Sequence, residues 1–183
     1  MAARKAFKQD SAKDKLVEQV RTLGDPVLRQ PTNRVTVFDP RLERLAKNML
    51  EIMEREDGVG LAANQVGVLS RMMVWRHPEN EDERYIYVNP QIVERSEACC
   101  TESEGCLSVP GMRGLVPRHT ALRYQGFDAT GQPIDRSVSN FHARVVQHEV
   151  DHLHGILYPM RIRDLRYFGF TDTLFPGQKL QDD

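Results

Sequence analysis

The chain has 183 residues, of which 40% are hydrophobic and 28% are charged, and these values are ordinary for one globular domain. The formal net charge is −1 and the sequence pI is near 6.6, so bulk charge gives no reason to expect DNA or a membrane surface as a partner. No apolar run reaches the length of a membrane span or of a signal-peptide core.

The first 20 residues are expected to form an N-terminal extension of the domain. Basic residues recur through this segment, but Asp10 and Asp14 interrupt them, so targeting to an organelle is not expected. The three cysteines lie close together between Cys99 and Cys106, which is not the even, spaced set of a disulfide framework. This cysteine usage indicates a reducing compartment, and we expect a cytoplasmic protein.

The first well-marked element is a helix after Asp39, preceded by a shorter helical pattern over residues 11–20. Asp39 suits the N-cap position and Pro40 suits the first helical position. Apolar residues then recur at spacings of three and four, at Leu42, Leu45, Ala46, Met49, Leu50 and Met53. The pattern predicts an N-terminal amphipathic helix that ends before Gly58 and turns its apolar face to the core.

Strand patterns fill the middle of the chain. The small, nearly uncharged segment over residues 58–67 predicts a buried turn. Strands are predicted over residues 72–76, 85–88, 91–94, 120–127 and 133–138, with Asn89-Pro90 as a turn and the last two strands as a hairpin. Together with one helix on each side, these antiparallel strands predict an α+β domain in which the strands pack around a central C-terminal helix.

That C-terminal helix, predicted with Asn140 as its N-cap, contains the one cluster in the sequence with metal-ligand spacing. His148 and His152 are four residues apart, which places both imidazoles on one helix face, about 40° apart around the axis. Glu149 lies near enough to that face to contact a water at the metal without being a ligand itself. This H-E-x-x-H arrangement is typical of metal-dependent hydrolases.

Two histidines leave such a metal in need of a third protein ligand. A thermolysin-like site would take a glutamate from a later helix, but no glutamate follows Glu149. A longer histidine pattern fails because Tyr158 stands where its last histidine would be. Asp164 remains a candidate in an arginine-rich segment. Cys106 could complete the site as a thiolate, and the two earlier cysteines are less favoured but not excluded.

Three stretches of the sequence resemble the three motifs of the peptide deformylase family. They are GVGLAANQ at residues 58–65, EGCLS at residues 104–108 and QHEVDH at residues 147–152. The segment LGDPVL at residues 23–28 is also similar to the N-terminal segment of that family. The resemblance implies a catalytic domain over residues 21–160, followed by a tail at 161–183 that packs on the domain or extends from it.

The resemblance implies a metal-dependent hydrolase that removes the N-formyl group, as formate, from the initiator methionine of newly synthesised polypeptides. Cys106, His148 and His152 are then the ligands of one iron(II) ion per chain, with zinc or nickel as substitutes. Glu149 accepts a proton from the attacking water and returns it to the departing amine.

The same resemblance implies roles for residues around the metal. The side-chain amide of Gln65 and the backbone N–H of Leu107 are the implied donors for the oxyanion. Gly60 would let the substrate backbone approach in an extended form. Independently of the resemblance, the methionine side chain is expected to enter an apolar pocket to which Val59 and Val145 contribute, with Arg144 at its rim.

Two further expectations concern structural support and partners. Glu104 and Arg118 are expected to form an ion pair that braces the cysteine loop. The arginine and aromatic residues of the tail at 161–183 are expected to contact the ribosome, in addition to the formyl-methionyl polypeptide substrate.

Two alternatives from other functional classes stay open from the sequence alone. A zinc endopeptidase would use Asp164 or another acid as its third ligand and would hydrolyse long peptides without needing a formyl group. A non-catalytic protein would instead have a closed structural metal site, with a fourth protein ligand such as Cys100.

Overall fold

A computed structural model describes residues 17, 19–77 and 80–178 of the chain. The short helix expected over residues 11–20 therefore lies outside the described residues, apart from Val17, Gln19 and Val20. None of the helices in these described ranges is long and apolar enough to cross a membrane.

Helix α1 spans Pro40–Arg55 and begins where a side chain caps it. The carboxylate of Asp39 accepts hydrogen bonds from the backbone N–H groups of Arg41 and Leu42, which have no partner within the helix. Its apolar face packs in a hydrophobic core cluster that also contains Leu61, Val66, Met72 and Val74. The buried residues of this face are Leu42, Ala46, Met49, Ile52 and Met53.

The larger sheet has five antiparallel strands in the order β1, β2, β3, β6, β7. They span Gly60–Ala62 (β1), Met72–His77 (β2), Asn80–Arg95 (β3), Ala121–Phe127 (β6) and Pro133–Ser139 (β7). The two ends of this order are β1, which lies within the segment at 58–67 that was predicted as a turn, and β7, which leads directly into the second long helix.

The structure corrects the turn predicted at Asn89-Pro90. Both residues lie within β3 at a bulge, where the register against β6 shifts and Asn89 has a φ of 53°. The Asn89 side chain stabilises this bulge by bonding both backbone groups of Val35, at 2.8 and 2.9 Å. A bulge tolerates proline because one residue there makes no ladder hydrogen bond.

The smaller sheet contains β4, β5 and β8, which span Cys99–Glu104, Met112–His119 and Phe168–Phe170. Strand β8 belongs to the C-terminal segment, and its pairing with the start of β5 holds that part of the segment against the domain. Helix α3 follows at Thr171–Leu174. Short 3-10 helices lie at Pro26–Arg29, Ala63–Val66, Tyr158–Arg161 and Leu165–Tyr167.

Helix α2 spans Asn140–Leu153 and contacts strands of both sheets. Ser139 lies at its N-cap position instead of the expected Asn140, which has a φ of 54° that its short polar side chain tolerates. Every residue from position 143 to 153 is buried, so the H-E-x-x-H segment lies inside the molecule. Antiparallel sheets with few helices confirm the α+β class.

Candidate active site

One thiol and two imidazoles meet where α2 passes the loop that follows β4. The Sγ atom of Cys106 lies 3.3 Å from Nε2 of His152, which lies 3.1 Å from Nε2 of His148. The three donor atoms lie within 4.8 Å of one another, and all three residues are buried. Metal–ligand bonds of about 2.0–2.3 Å at tetrahedral angles place donor atoms about 3.3–3.6 Å apart. This donor set is therefore close to the arrangement that one divalent ion requires.

The other candidate ligands lie elsewhere. Cys99 and Cys100 are exposed on β4, and within the described ranges no fourth histidine, cysteine or acid joins the group. Asp164 instead accepts hydrogen bonds from the guanidinium of Arg166. A closed four-ligand site and a site completed by Asp164 thus have no support in the part of the chain that the structure describes.

The two imidazoles of this group have different surroundings. Nδ1 of His148 donates to Oε2 of Glu104 at 3.0 Å, which orients the ring and leaves Nε2 for a metal. Burial opposes a positive charge on His148, but Cys106 and Glu104 outweigh burial and raise the pKa of His148 well above its usual value, so a metal at Nε2 would displace a proton from this ring. Burial lowers the pKa of His152 and the neighbouring His148 lowers it further, so His152 is neutral, as a metal ligand must be.

Glu104 belongs to a buried group of charged residues next to His148. Arg118 donates to both oxygens of Glu104, at 2.8 and 2.9 Å, and to Asp151 at 2.6 Å. Burial raises the pKa of Glu104, but the Arg118 guanidinium and His148 more than offset burial and hold that pKa well below its usual range. Glu104 is therefore ionised at neutral pH and can accept the hydrogen bond of His148.

The 3-10 helix after β1 brings a side-chain amide to the thiol. Oε1 of Gln65 accepts a hydrogen bond from the N–H of Ala62 at 2.7 Å, which directs Nε2 to the other side. Nε2 lies 3.2 Å from Oγ of Ser108 and 3.5 Å from Sγ of Cys106. Leu107 follows the thiol directly, so a side-chain N–H and a backbone N–H both border the cysteine.

The glycines of the turn make room for two predicted site residues. A Cβ atom at Gly60 would overlap with the carboxylate of Glu149, and one at Gly58 would lie 2.7 Å from Cδ1 of Leu107. Val59, between the two glycines, is buried in a hydrophobic cluster that also contains Val145 of α2 and Trp75 of β2. Contact with Glu149 is thus sufficient to require glycine at position 60.

The chain matches one protein family over most of its length. The model of that family, polypeptide deformylase, matches residues 17–167. The chain belongs to this family. Peptide deformylase 1 of Nitrosomonas europaea is 52% identical over 176 residues, which cover 92% of this chain and 100% of that relative. Peptide deformylase 1 of Bordetella pertussis is 46% identical over 169 residues, covering 88% of this chain and 96% of that relative.

A solved structure of peptide deformylase from Thermotoga maritima has the same fold, with a TM-score of 0.77 and 36% identity, and the match covers 80% of this chain and 97% of that chain. The family resemblance inferred from the three motifs is therefore confirmed. As a polypeptide deformylase, the chain is a hydrolase that removes the N-formyl group from newly synthesised polypeptides. The family is metal-dependent, and the group formed by Cys106, His148 and His152 is the candidate metal site.

One predicted site residue of this deformylase has its hydrogen-bond partners in the smaller sheet. Arg144 is 4% exposed, and its guanidinium donates to Glu104 and Glu102 and to backbone carbonyls of the smaller sheet. The place of Arg144 at the rim of a substrate pocket stays a prediction. Arg144 belongs to the buried charged group, because all its partners come from strands β4 and β5.

Two polar residues near the deformylase site have no role in the sequence prediction. Asn64 donates from Nδ2 to the backbone carbonyl of His152 at 2.6 Å, which ties the 3-10 helix to α2. Asp151 accepts hydrogen bonds from Arg118 and Arg161. The sequence contained a sign of each residue. Asn64 is an amide in an otherwise apolar segment, and Asp151 is an acid three residues after His148 and therefore on the same helix face.

Proposed function

We propose that Cys106, His148 and His152 hold one iron(II) ion in this deformylase, with zinc or nickel as substitutes. The observation that carries the proposal is the group of one thiol and two imidazoles within 4.8 Å of one another, without a fourth protein ligand among the described residues. Three protein ligands leave one coordination position open, as in catalytic metal sites. The donor set suits zinc as well, and the resemblance to the family favours iron(II). When bound, the ion supplies the positive charge that makes a water nucleophilic near neutral pH.

Glu149 moves the proton in this proposal. Its side chain is fully buried, its carboxylate lies beside Gly60, and it follows His148 in α2. The carboxylate accepts a proton from the water that attacks the formyl carbon. It then delivers that proton to the methionine nitrogen as the bond between this nitrogen and the formyl carbon breaks. Formate and a free amino terminus are the products.

Gln65 and Leu107 donate to the formyl oxygen, which gains negative charge as the water attacks. The contact of Gln65 with Ala62 supports this role, because it fixes the amide with its N–H group towards the thiol. The backbone N–H of Leu107 is the second donor. Preorganised donors of this kind contribute roughly 3 to 4 kcal/mol each to stabilisation of the transition state.

The substrate chain lies in an extended form along β1. This strand is at one end of the larger sheet, where a peptide can add as a further strand and form hydrogen bonds to its backbone. Gly60 keeps that edge close to Glu149. The methionine side chain enters an apolar pocket to which Val59 and Val145, which belong to one core cluster, contribute.

We propose that the chain has one catalytic domain with an extension at each end and that it acts in the cytoplasm. Residues 21–160 form the catalytic domain, residues 1–20 an extension, and residues 161–183 a tail. The exposed side chains of Arg163, Arg166, Tyr167 and Phe170 in that tail support a contact with the ribosome. A cytoplasmic location follows from this partner and from the nascent polypeptide substrate.

Formate release from formyl-Met-Ala-Ser by the iron-loaded protein tests the proposed function, with the matched acetyl peptide as a control. We expect kcat/KM for the formyl peptide to exceed that for the acetyl peptide by about 10- to 200-fold or more, because the added methyl must fit beside the metal. Comparable values for the two peptides would contradict a site built around the formyl group.

The Glu149→Ala variant separates proton transfer from metal binding in the same assay. We expect kcat to fall by about 10²- to 10⁴-fold, since the proton carrier is removed. Elemental analysis should show an unchanged metal content, because no ligand is lost. Loss of metal in this variant would place Glu149 among the ligands and refute its proposed role.

A further inference from the structure

Arg144 joins helix α2 to the strand that leads to Cys106. Its guanidinium is almost fully buried, and its donors are all directed at the smaller sheet. The hydrogen bonds run to Oε1 of Glu104 (2.7 Å), to Oε2 of Glu102 (3.0 Å) and to the backbone carbonyls of Cys100 (3.0 Å) and Val116 (3.0 Å). One side chain thus makes four contacts across the boundary between α2 and the β4–β5 pair.

These contacts connect the two segments that carry the metal ligands. Glu102 and Glu104 are alternate residues of β4 and therefore lie on one face of the strand, and Cys106 follows two residues later. Arg144 precedes His148 by four residues and therefore lies on the same face of α2. Arg144 thus fixes the helix that carries the imidazoles against the strand that leads to the thiol.

Glu104 links Arg144 to His148 through hydrogen bonds to both side chains. Its Oε1 accepts from Nε of Arg118 at 2.8 Å and from Nη1 of Arg144 at 2.7 Å. Its Oε2 accepts from Nη2 of Arg118 at 2.9 Å and from Nδ1 of His148 at 3.0 Å. Four donors fill the acceptor positions of one carboxylate, so Glu104 cannot turn without losing one of them. The orientation of the His148 ring therefore depends on a carboxylate that Arg144 holds.

We propose that Arg144 is a positioning residue that sets the geometry between the thiolate of Cys106 and the imidazoles of His148 and His152. The proposal rests on the metal ligands proposed above. Groups that orient metal ligands typically change metal affinity by about 10- to 100-fold when they are removed. Arg144 acts through Glu104 and β4 and is not itself one of the proposed metal ligands.

Cobalt(II)-substituted protein tests this role, because its visible absorption reports both thiolate coordination and the geometry around the metal. In Arg144→Gln we expect shifted cobalt bands and a metal dissociation constant, measured by chelator competition, that is about 10- to 100-fold higher than in the unaltered protein. Arg144→Lys keeps a positive charge beside Glu104 but cannot make four directed bonds, so we expect an intermediate change.

The matched control is Arg161→Gln, which removes an arginine from Asp151 in the same charged group without touching Glu104 or β4. We expect it to keep the unaltered cobalt spectrum. Circular dichroism checks the fold of each variant, and Arg144→Lys carries the test if Arg144→Gln does not fold.

Three results would overturn the positioning role. The first is a cobalt spectrum and a metal dissociation constant in Arg144→Gln that equal those of the unaltered protein. The second is the same equality in Arg144→Lys. The third is a change of equal size in the Arg144 and Arg161 variants. Failure of the proposed ligands looks different, because the unaltered protein itself would then lack thiolate-to-cobalt absorption.

Discussion

Two groups of charged residues in this deformylase have the same chemistry and similar geometry but different surroundings. Arg118 donates to Glu104 at 2.8 and 2.9 Å in the interior, and Arg123 donates to Asp135 at 2.7 and 2.8 Å on the larger sheet. The side chains of Arg118 and Glu104 are 6% and 0% exposed, whereas those of Arg123 and Asp135 are 39% and 45% exposed. The two pairs differ in their contact with water, and Glu104 also accepts hydrogen bonds from Arg144 and His148.

Burial, more than distance, decides what an ion pair contributes to the structure. Buried charges have lost water and have only each other, so removal of one partner typically costs about 3–5 kcal/mol. A surface pair is hydrated again when it is broken and therefore contributes little. The interior group can hold the ring of His148 in place, while the surface group only links neighbouring strands.

Among the charged-group variants, Glu104→Gln should reduce stability and metal affinity most. The change leaves Arg118 and Arg144 without their shared carboxylate and removes the charged acceptor of His148. We expect the free energy of unfolding of the metal-free protein to fall by about 3–5 kcal/mol, and metal affinity to fall by about 10- to 100-fold. Urea denaturation and chelator competition measure the two effects.

Glu102→Gln is the matched control for that variant. Glu102 lies on the same face of β4 and also contacts Arg144, but its side chain is 57% exposed. We expect a much smaller loss of stability and an unchanged metal affinity. Equal effects of the two substitutions would contradict the importance of burial.

Asp151→Asn should weaken the interior group less. Arg118 loses one of its bonds but keeps both bonds to Glu104, and the partly exposed Arg161 can turn to water. Because hydrogen bonds to charged groups contribute about 1.5–3 kcal/mol, we expect a loss of unfolding free energy in that range. Urea denaturation at neutral pH measures this loss. A loss as large as that of Glu104→Gln would refute the expected smaller effect of Asp151→Asn.

Asp135→Asn should have the smallest effect, and that effect should depend on pH. Hydrogen bonds from Arg123 and then from Gln125 lower the pKa of Asp135 from 3.8 to about 2. A lowered pKa stabilises the folded state above the unfolded-state pKa, and this contribution is lost as the pH falls from about 4 to about 2. We expect a small decrease in the urea midpoint at pH 7 and none at pH 2. A decrease equal to that of Asp151→Asn would contradict the comparison.

Local sequence patterns were sufficient for features that depend on near neighbours. The spacing of His148 and His152 places both imidazoles on one helix face, whatever surrounds the helix. The loop at residues 128–132 joins β6 and β7 as a hairpin, in agreement with its Asp and Gly residues. For the same reason, Asp39 and Pro40 were sufficient to place the start of α1.

Contacts between distant segments could not be predicted in this way. Asn89 forms hydrogen bonds with Val35, which lies 54 positions away. This contact stabilises a bulge at Asn89-Pro90, although the dipeptide itself is typical of turns. Arg144 reaches partners 28 to 44 positions away, so its sequence neighbours gave no sign of the buried charged group. Only the folded chain brings these partners to Arg144.

The metal content of three cysteine variants tests whether Cys106 supplies the thiolate of the metal site. Cys106→Ala should contain no tightly bound metal and should release no formate from formyl-Met-Ala-Ser. Cys99→Ala and Cys100→Ala should keep one metal ion per chain and full activity, because both thiols are exposed on β4. Metal and activity retained in Cys106→Ala, or lost in Cys100→Ala, would contradict the account.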